Sequence, residues 1–528
     1  RRNMHQMTDI QNLFQTALKR HQSGHLKDAE HLYNEILQKL PNHGEAIHLL
    51  GLIGFQKSDY VKAITLITRA VEIDPDFAAA HYNLGRCYEQ IEDNEKAIRS
   101  YNRSLSLKSD DADCYLGLGN ALKEQKRFDE ALASCDRAIS LNPKFVEAHN
   151  NRGNVLKELR RFDEALESCD KAIAFSPKFV EAHNNRGNVL TELRRLDEAL
   201  ASYDRAIALK PDYAEAYWNK SLCLLVRGEF SEGWKHYDWR WKKKEFTSKP
   251  LSTDKPAFSL QDRKRVLVWA EQGVGDEIMF ASTIEEFGNL CAKLIVQVDA
   301  RLIPLFSRSI SRGVSFFPKN SVVPPDLYDQ QISIGSIGKY LRNDEASFAR
   351  SRFGYLKVDS ERTSEIKSFL PNKNHRKICG ISWKSKNEKS GDKRSLTLKS
   401  FLRFLFMKEY EFVSLQYGDI EEELKSAKAE LGIDVISCGQ VDNFKDLDGL
   451  ASLIQACDVV VSIDNTTVHL AGALGKDVRV LLPHAPDWRW QLDRKDSPWY
   501  SSATLYRQNN DGDWTSAFNE IRSDLLAP

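Results

Sequence analysis

Two hydrophobic rhythms divide the chain. In its first part, small and apolar positions recur with the spacing of helical faces, and the whole pattern returns every 34 residues. The glycines stand at Gly51, Gly85, Gly119, Gly153 and Gly187, and alanines at Ala63, Ala97, Ala131, Ala165 and Ala199. Pro41, Pro75, Pro143, Pro177 and Pro211 close the period. The segments Lys144–Pro177 and Lys178–Pro211 are nearly the same text, KFVEAHNNRGNVLKELRRFDEALESCDKAIAFSP against KFVEAHNNRGNVLTELRRLDEALASYDRAIALKP. Small residues let two antiparallel helices approach closely, and the proline stops the second. The pattern predicts six helix pairs from about Thr8 and a divergent seventh from Asp212 to roughly Glu245. One pair cannot bury its own apolar face, so the pairs must stack into a solenoid.

At its small and proline positions this frame resembles the tetratricopeptide repeat, an interaction module. The first helix of each pair should line the inner surface. Asn150, Asn154 and Lys157 share one face at helical spacing, repeated by Asn184, Asn188 and Thr191. Asn83, Asn151, Asn185 and Asn219 form a second register, interrupted at Gly117. Amides carry both donors and acceptors, so such a ladder can grip the backbone of an extended protein or peptide. The other role for it is a solvated polar face. Trp218, Trp234, Trp239 and Trp241 crowd the seventh unit, as a ligand box or as the seal between the array and the next domain.

From Arg265 the rhythm changes to short β-branched runs alternating with helical stretches. Strands are expected at Val266–Ala270, Leu294–Val298, Ile378–Trp383, Phe412–Gln416, Val435–Ser437, Val459–Ile463 and Val478–Leu482. Helices are expected at Asp276–Ala292, Arg301–Ser311 and Glu361–Leu370. Between Ser315 and Lys357 the pattern blurs. Two such βαβ series predict two Rossmann-like lobes facing a cleft. The expected boundaries are residues 8–245 for the solenoid, 246–263 for a linker, 264–371 for the first lobe and 372–528 for the second.

Composition narrows the partners. Lys+Arg and Asp+Glu are equal at 75 each, so no global field points to nucleic acid or an anionic membrane. Nine cysteines without a C-x-x-C pair predict reduced thiols, and Cys135 and Cys169 take the place that Tyr101 and Tyr203 hold in neighbouring repeats. With no apolar signal core or membrane-length span, the expected location is the cytoplasm.

Candidate chemistry sits where strands meet helices. Asp464, Asn465, Thr466 and Thr467 come directly after the Val459–Ile463 strand and open a helix of small apolar residues. A helix start at the carboxyl end of a parallel strand favours an anion, typically phosphate, although Thr466 serves equally as a plain N-cap. His469, in the first turn, is a ligand to phosphate or ribose or a structural histidine. The basic loop Lys384–Ser395 offers Lys384 and Arg394 to a diphosphate, and Gln416 leaves the next strand at the same edge. In the first lobe Gly273-Val-Gly275-Asp276-Glu277 comes after the first strand. Ile278 stands where a dinucleotide fingerprint needs its third glycine, and the acidic pair opposes pyrophosphate, so a dinucleotide site is rejected. A carboxylate at that turn faces the cleft and suits a general base, or it is a simple helix-start charge.

Gln-Gly-Val-Gly-Asp-Glu-Ile-Met-Phe, Arg-Ser-Leu-Thr-Leu, Asp-Asn-Thr-Thr-Val-His-Leu-Ala-Gly-Ala-Leu-Gly and Ala-Pro-Asp-Trp-Arg-Trp resemble bacterial tetratricopeptide proteins with a glycosyltransferase domain. That domain is similar to heptosyltransferases of the GT-B fold and to the O-linked N-acetylglucosamine transferase. The resemblance implies a nucleotide-sugar donor on the second lobe, an acceptor on the first, and inversion at the anomeric carbon. It implies Asp276 as base at the turn of Gly273 and Gly275, and a donor site of Asp464, Asn465, Thr466, Thr467 and His469. The expected fold is thus an all-α tetratricopeptide solenoid followed by a two-lobed α/β GT-B unit. The expected function is a transferase that needs no metal or other cofactor and modifies a recruited protein. Its rivals are a scaffold with a non-catalytic nucleotide-binding domain and an enzyme moving another activated group.

Overall fold

A computed structural model of the chain describes residues 2–527 apart from 245, 262, 311–312, 350–352, 371–375 and 387–390, with side chains from residue 7 except that of residue 392. The molecule divides into two compact units, Arg1–Lys210 and Pro211–Pro528.

The first unit is all helical. Its antiparallel pairs are α1 (Arg2–Gln22) with α2 (Leu26–Lys39), α3 (Gly44–Gln56) with α4 (Tyr60–Ile73), and α5 (Ala78–Gln90) with α6 (Asn94–Leu107). They continue as α7 (Ala112–Glu124) with α8 (Phe128–Leu141), α9 (Val146–Glu158) with α10 (Phe162–Phe175), and α11 (Val180–Glu192) with α12 (Leu196–Leu209). Close approach explains the periodic glycines. A Cβ on Gly187 would stand 2.5 Å from the Tyr203 ring, and one on Gly153 2.8 Å from the Cys169 sulfur. Cys135 and Cys169 do fill the tyrosine slot, and burial pushes each thiol up to about 12. All nine cysteines are buried thiols outside any disulfide. Each intrapair turn places one residue in the left-handed region, at Ser58, Glu92, Lys126, Arg160 and Arg194, with Gly24 and Gly228 in the same slot at the ends. A non-glycine residue there costs about 1 kcal/mol, which the flanking helices outweigh.

The second unit begins with the seventh pair, α13 (Ala214–Val226) and α14 (Phe230–Tyr237), and holds two parallel sheets. The first contains β1 (Arg265–Trp269), β2 (Lys293–Val298), β3 (Val314–Pro318) and β4 (Gln330–Ser333), ordered β3-β2-β1-β4. The second contains β5 (Lys377–Ser382), β6 (Tyr410–Ser414), β7 (Val435–Ile436), β8 (Val459–Ile463), β9 (Val478–Leu482) and β10 (Ala503–Arg507), ordered β10-β9-β8-β5-β6-β7. Counted from its first strand, the larger sheet runs 3-2-1-4-5-6, the doubly wound order whose ligand crevice opens where the winding reverses. That reversal lies between β5 and β8.

The helices of this unit are α15 (Val274–Ala281), α16 (Ile284–Gly288), α17 (Ile303–Ser309), α18 (Gly338–Leu341), α19 (Ser360–Phe369), α20 (Gly391–Arg394), α21 (Leu398–Leu405), α22 (Glu421–Leu431), α23 (Leu447–Ala456), α24 (Thr466–Ala473) and α25 (Thr515–Leu526). One face of the larger sheet packs Ile381, Phe412, Val461 and Leu481 against Phe401, Leu402 and Phe518.

Several expected elements change. The single helix expected over Asp276–Ala292 is broken, because the Ser282 and Thr283 hydroxyls turn back onto the carbonyls of Met279 and Phe280, at 2.7 Å each. The stretch expected as a linker contributes to the first sheet, where Ala257 bridges Gln331 and Phe258 donates its N–H to the Gln331 carbonyl at 2.8 Å. Glu245, Asp262 and the expected lobe boundary at 371–372 lie outside the described residues.

The tryptophan-rich segment is a seal within this unit, and not purely an apolar one. Trp234 donates from its indole to the Arg342 carbonyl at 2.7 Å and lies against Gly338. Arg240, fully buried, makes a two-pronged ion pair with Glu271 at 2.8 and 2.6 Å and also donates to Ser333 and Ser336.

Candidate active site

The buried pair ends β1 and fixes the turn beyond it. Glu271 also accepts from the Gly335 N–H at 3.0 Å. Gln272 then adopts φ +58°, its N–H bonded to Ser248 Oγ at 2.8 Å and its carbonyl accepting from Lys319 Nζ at 3.0 Å. Gly273 caps α15, and Asp276 Oδ2 accepts from the Gly273 N–H at 3.2 Å. A side chain at Gly275 would meet the His469 ring at 2.9 Å, so this position is small because α15 rests on α24. Glu277 turns inward, accepting from the Asp299 N–H at 2.7 Å and pairing with Lys319 at 3.1 Å. Burial raises its pKa in spite of these partners.

Opposite stand the loops at the reversal of the larger sheet. Asn465 is the N-cap of α24 in place of Thr466, its side-chain oxygen accepting from the Thr467 N–H at 3.0 Å. Its amide nitrogen donates to Ser382 Oγ at 2.8 Å, which ties the loop after β8 to the end of β5. Asp464 is buried and accepts from Arg394 at 2.7 Å, while Arg394 also reaches Ser385 Oγ at 3.3 Å. Together these walls enclose a polar cavity of about 320 Å³, lined among others by Gly273, Gly275, Asp276, Ser385, Arg394, Tyr417, Asp464, Thr466, His469 and Arg489.

Asp276, Gly273, Gly275, Arg394, Asp464, Asn465, Thr466 and His469 therefore converge on one cavity. Three other candidates act differently. Lys384 is ion-paired with Glu423 and lines a separate pocket beside α22. Gln416 is buried as a clamp, its carbonyl oxygen accepting from the N–H groups of Trp383 and Lys384 at 2.9 Å each. The Thr467 side chain is fully buried in the first turn of α24. His469 lines the cavity yet is no cation. Burial, with Arg489 nearby, pulls its pKa down to about 3, and its Nδ1 pairs with the Tyr500 hydroxyl at 2.9 Å. Of the basic loop, residues 387–390 lie outside the described residues.

Arg489 and Asp487 are site residues that single-residue reasoning passed over. They sit on the turn after β9, and Arg489 ion-pairs with both Asp276 and Asp487 while its guanidinium stacks on Trp488 at 4.8 Å. Burial opposes the charge of Arg489, but the two carboxylates hold its pKa well above the ordinary value. The available signal was a charged residue set between two tryptophans at the carboxyl edge of a strand.

The family profiles match the repeat region. The Tetratricopeptide repeat profile matches residues 112–145, 146–179 and 180–213, and a TPR repeat profile matches 90–126. A profile described as Anaphase-promoting complex, cyclosome, subunit 3 matches 22–104. The N-terminal region is an array of tetratricopeptide repeats. Protein FlbA of Caulobacter vibrioides (strain ATCC 19089 / CIP 103742 / CB 15) is 30% identical over 329 residues, covering 57% of this chain and 53% of FlbA. The chain thus spans about half the length of this curated relative. Among solved structures, YrrB, described as a TPR protein with an unusual peptide-binding site, is 23% identical over 36% of this chain and 98% of its own, with a TM-score of 0.32. A tetratricopeptide repeat protein from Parabacteroides merdae ATCC 43184 is 17% identical over 44% and 91%, with a TM-score of 0.39. Among the described residues no helix is long and apolar enough to cross a membrane.

Within the repeats the asparagines split into two groups. Asn83, Asn150 and Asn184 are buried, so they serve the array itself. Asn83 donates to His48 Nε2 at 3.0 Å, and Asn150 accepts from Asn185 at 2.8 Å. Asn151, Asn154, Asn185, Asn188 and, in the seventh pair, Asn219 are half-exposed. Asn151 reaches Asn120 of the preceding repeat at 2.7 Å, and Asn188 accepts from the Tyr203 hydroxyl at 3.0 Å. The ladder is thus partly spent on joining repeat to repeat.

Proposed function

We propose that Pro211–Pro528 is an inverting glycosyltransferase of the GT-B type, taking a nucleotide-sugar donor and modifying a protein or peptide gathered by the repeats. The observation that carries this is the shared cavity. The reversal loops of a 3-2-1-4-5-6 sheet bring Arg394 and the start of α24 opposite a carboxylate from the other sheet. In the reaction, Asp276 removes the proton of the acceptor hydroxyl as that oxygen attacks the anomeric carbon and the nucleoside diphosphate leaves. The departing charge meets Arg394 and the N-terminus of α24, a division of labour that requires no metal. Lys384 and Gln416 take no part in this scheme, since their side chains are committed elsewhere.

A non-catalytic nucleotide-binding scaffold is the second reading, favoured by one observation: Asp276 is already ion-paired with Arg489. That pair lies inside the cavity, however, not turned away from it. A thermal-shift panel of nucleoside diphosphates and their sugars tests both. The transferase requires stabilisation by a nucleoside diphosphate and release of that nucleotide from its sugar on incubation. Binding without release leaves the scaffold standing, and no binding removes both.

A further inference from the structure

We propose that Arg489 is an anion ligand held in reserve, a guanidinium that swings from Asp276 to an entering diphosphate and so frees the carboxylate to act as base. The inference rests on the transferase reading and adds the residue that gates it. Both Asp276 oxygens are engaged, one by the Gly273 N–H at 3.2 Å and the other by Arg489. An oxygen already accepting from a guanidinium is poorly placed to receive the proton of a hydroxyl. The charges around the cavity tell the same story. Asp276, Asp464 and Asp487 face Arg394 and Arg489 while burial keeps His469 neutral, a formal excess of one negative charge. A diphosphate entering such a cavity is repelled unless a cation is turned toward it.

Of the two arginines, only Arg489 is built to turn. Arg394 is pinned by Asp464 and Ser385. Arg489 bridges two carboxylates, so it can release Asp276 while Asp487, on its own segment, still holds it. Trp488 lies beneath the guanidinium plane and supports its flat face throughout such a swing.

Calorimetric titration with inorganic pyrophosphate and with nucleoside diphosphates, followed by a crystal structure of the complex, tests the hand-over. Arg489→Gln should weaken pyrophosphate at least about tenfold, as expected for a lost charge-assisted contact. Asp276→Asn, which removes the competing partner and should leave the fold intact, should tighten it. In the complex, Arg489 should lie within hydrogen-bond distance of a phosphate oxygen and no longer of Asp276. Binding with the Arg489–Asp276 pair intact overturns the inference and spares the transferase. Unchanged or weaker affinity in Asp276→Asn does the same, marking Arg489 as a structural clamp. Wild-type protein that binds neither probe overturns both.

Discussion

The two units solve the problem of charge in opposite ways. In the repeats, many ion pairs lie on the surface between near neighbours, such as Arg127–Glu130, Arg161–Glu164 and Arg195–Glu198, each three residues apart and substantially exposed. Such pairs contribute little, because solvent screens them and the long side chains lose freedom in forming them. Pro211–Pro528 has surface pairs too, but three of its ion pairs are largely buried and join distant segments: Arg240 with Glu271, Arg394 with Asp464, Arg489 with Asp276. A repeat whose contacts are all with its neighbours has no need to bury charge. A unit that must assemble a polar cavity from two sheets has to do so, and its stability then depends on single side chains.

The largest effect should come from breaking the fully buried pair. Arg240→Met leaves the buried Glu271 carboxylate without its cation and should cost about 3–5 kcal/mol. All ten tryptophans lie in the second unit, so their fluorescence reports its denaturation alone. An equally large loss in the repeat unit, detected by a probe placed there, would erase the contrast. Asp276→Asn comes next: the proposed transfer should slow at least about a hundredfold, as loss of a general base predicts, while nucleotide is still bound. Near-normal turnover would reduce Asp276 to a helix-start charge.

The third prediction uses a buried histidine from each unit. His469, with a pKa near 3 in the fold against an ordinary value of 6.5, is neutral in both states above pH 6.5. As pH falls below that, only the unfolded chain takes up the proton, so stability drains away through the window from 6.5 down to about 3. At pH 5 the loss is about 2 kcal/mol relative to pH 7, and His469→Gln should abolish that increment in the tryptophan-detected transition. His48 in the repeats, lowered by burial to about 4, gives its unit a shorter window. The smallest effect belongs to the ladder. Asn185→Ala leaves the Asn150 oxygen short of its inter-repeat donor and should cost about 1 kcal/mol by denaturant unfolding. No change would mean that neighbouring amides re-pair.

The same contrast explains what could be read in advance. A repeat advertises itself, because Gly153 and Gly187 meet Cys169 and Tyr203 at the same offset in consecutive periods. The central strands β1, β5, β8 and β9 were legible as β-branched runs. β3 and β4 were not, since β3 is only half-buried and β4 reads Gln-Gln-Ile-Ser. Gln331 is tolerated there because its side-chain oxygen accepts from the Trp269 indole at 2.7 Å, a partner 62 residues away. At the cavity, residues adjacent to strand ends were legible, and Asp276, Arg394 and Thr466 do converge on it. Arg489 escaped because its meaning comes from Asp276, 213 residues earlier. Lys384 stands apart from the cavity because it pairs with Glu423, a partner that nothing local in the sequence reveals.

The near-identity of Lys144–Pro177 and Lys178–Pro211 extends to their bonds. Arg152 joins Asp136 and Ser168 at 2.6 and 2.7 Å, and Arg186 joins Asp170 and Ser202 at 2.7 and 2.8 Å. Removing one such segment whole would leave its neighbours meeting the same surface as before. Copy number is therefore a quantity that recombination can change in whole steps at little folding cost. Such changes would make the array a ruler whose graduations can be added or lost, its length altered in steps of one helix pair.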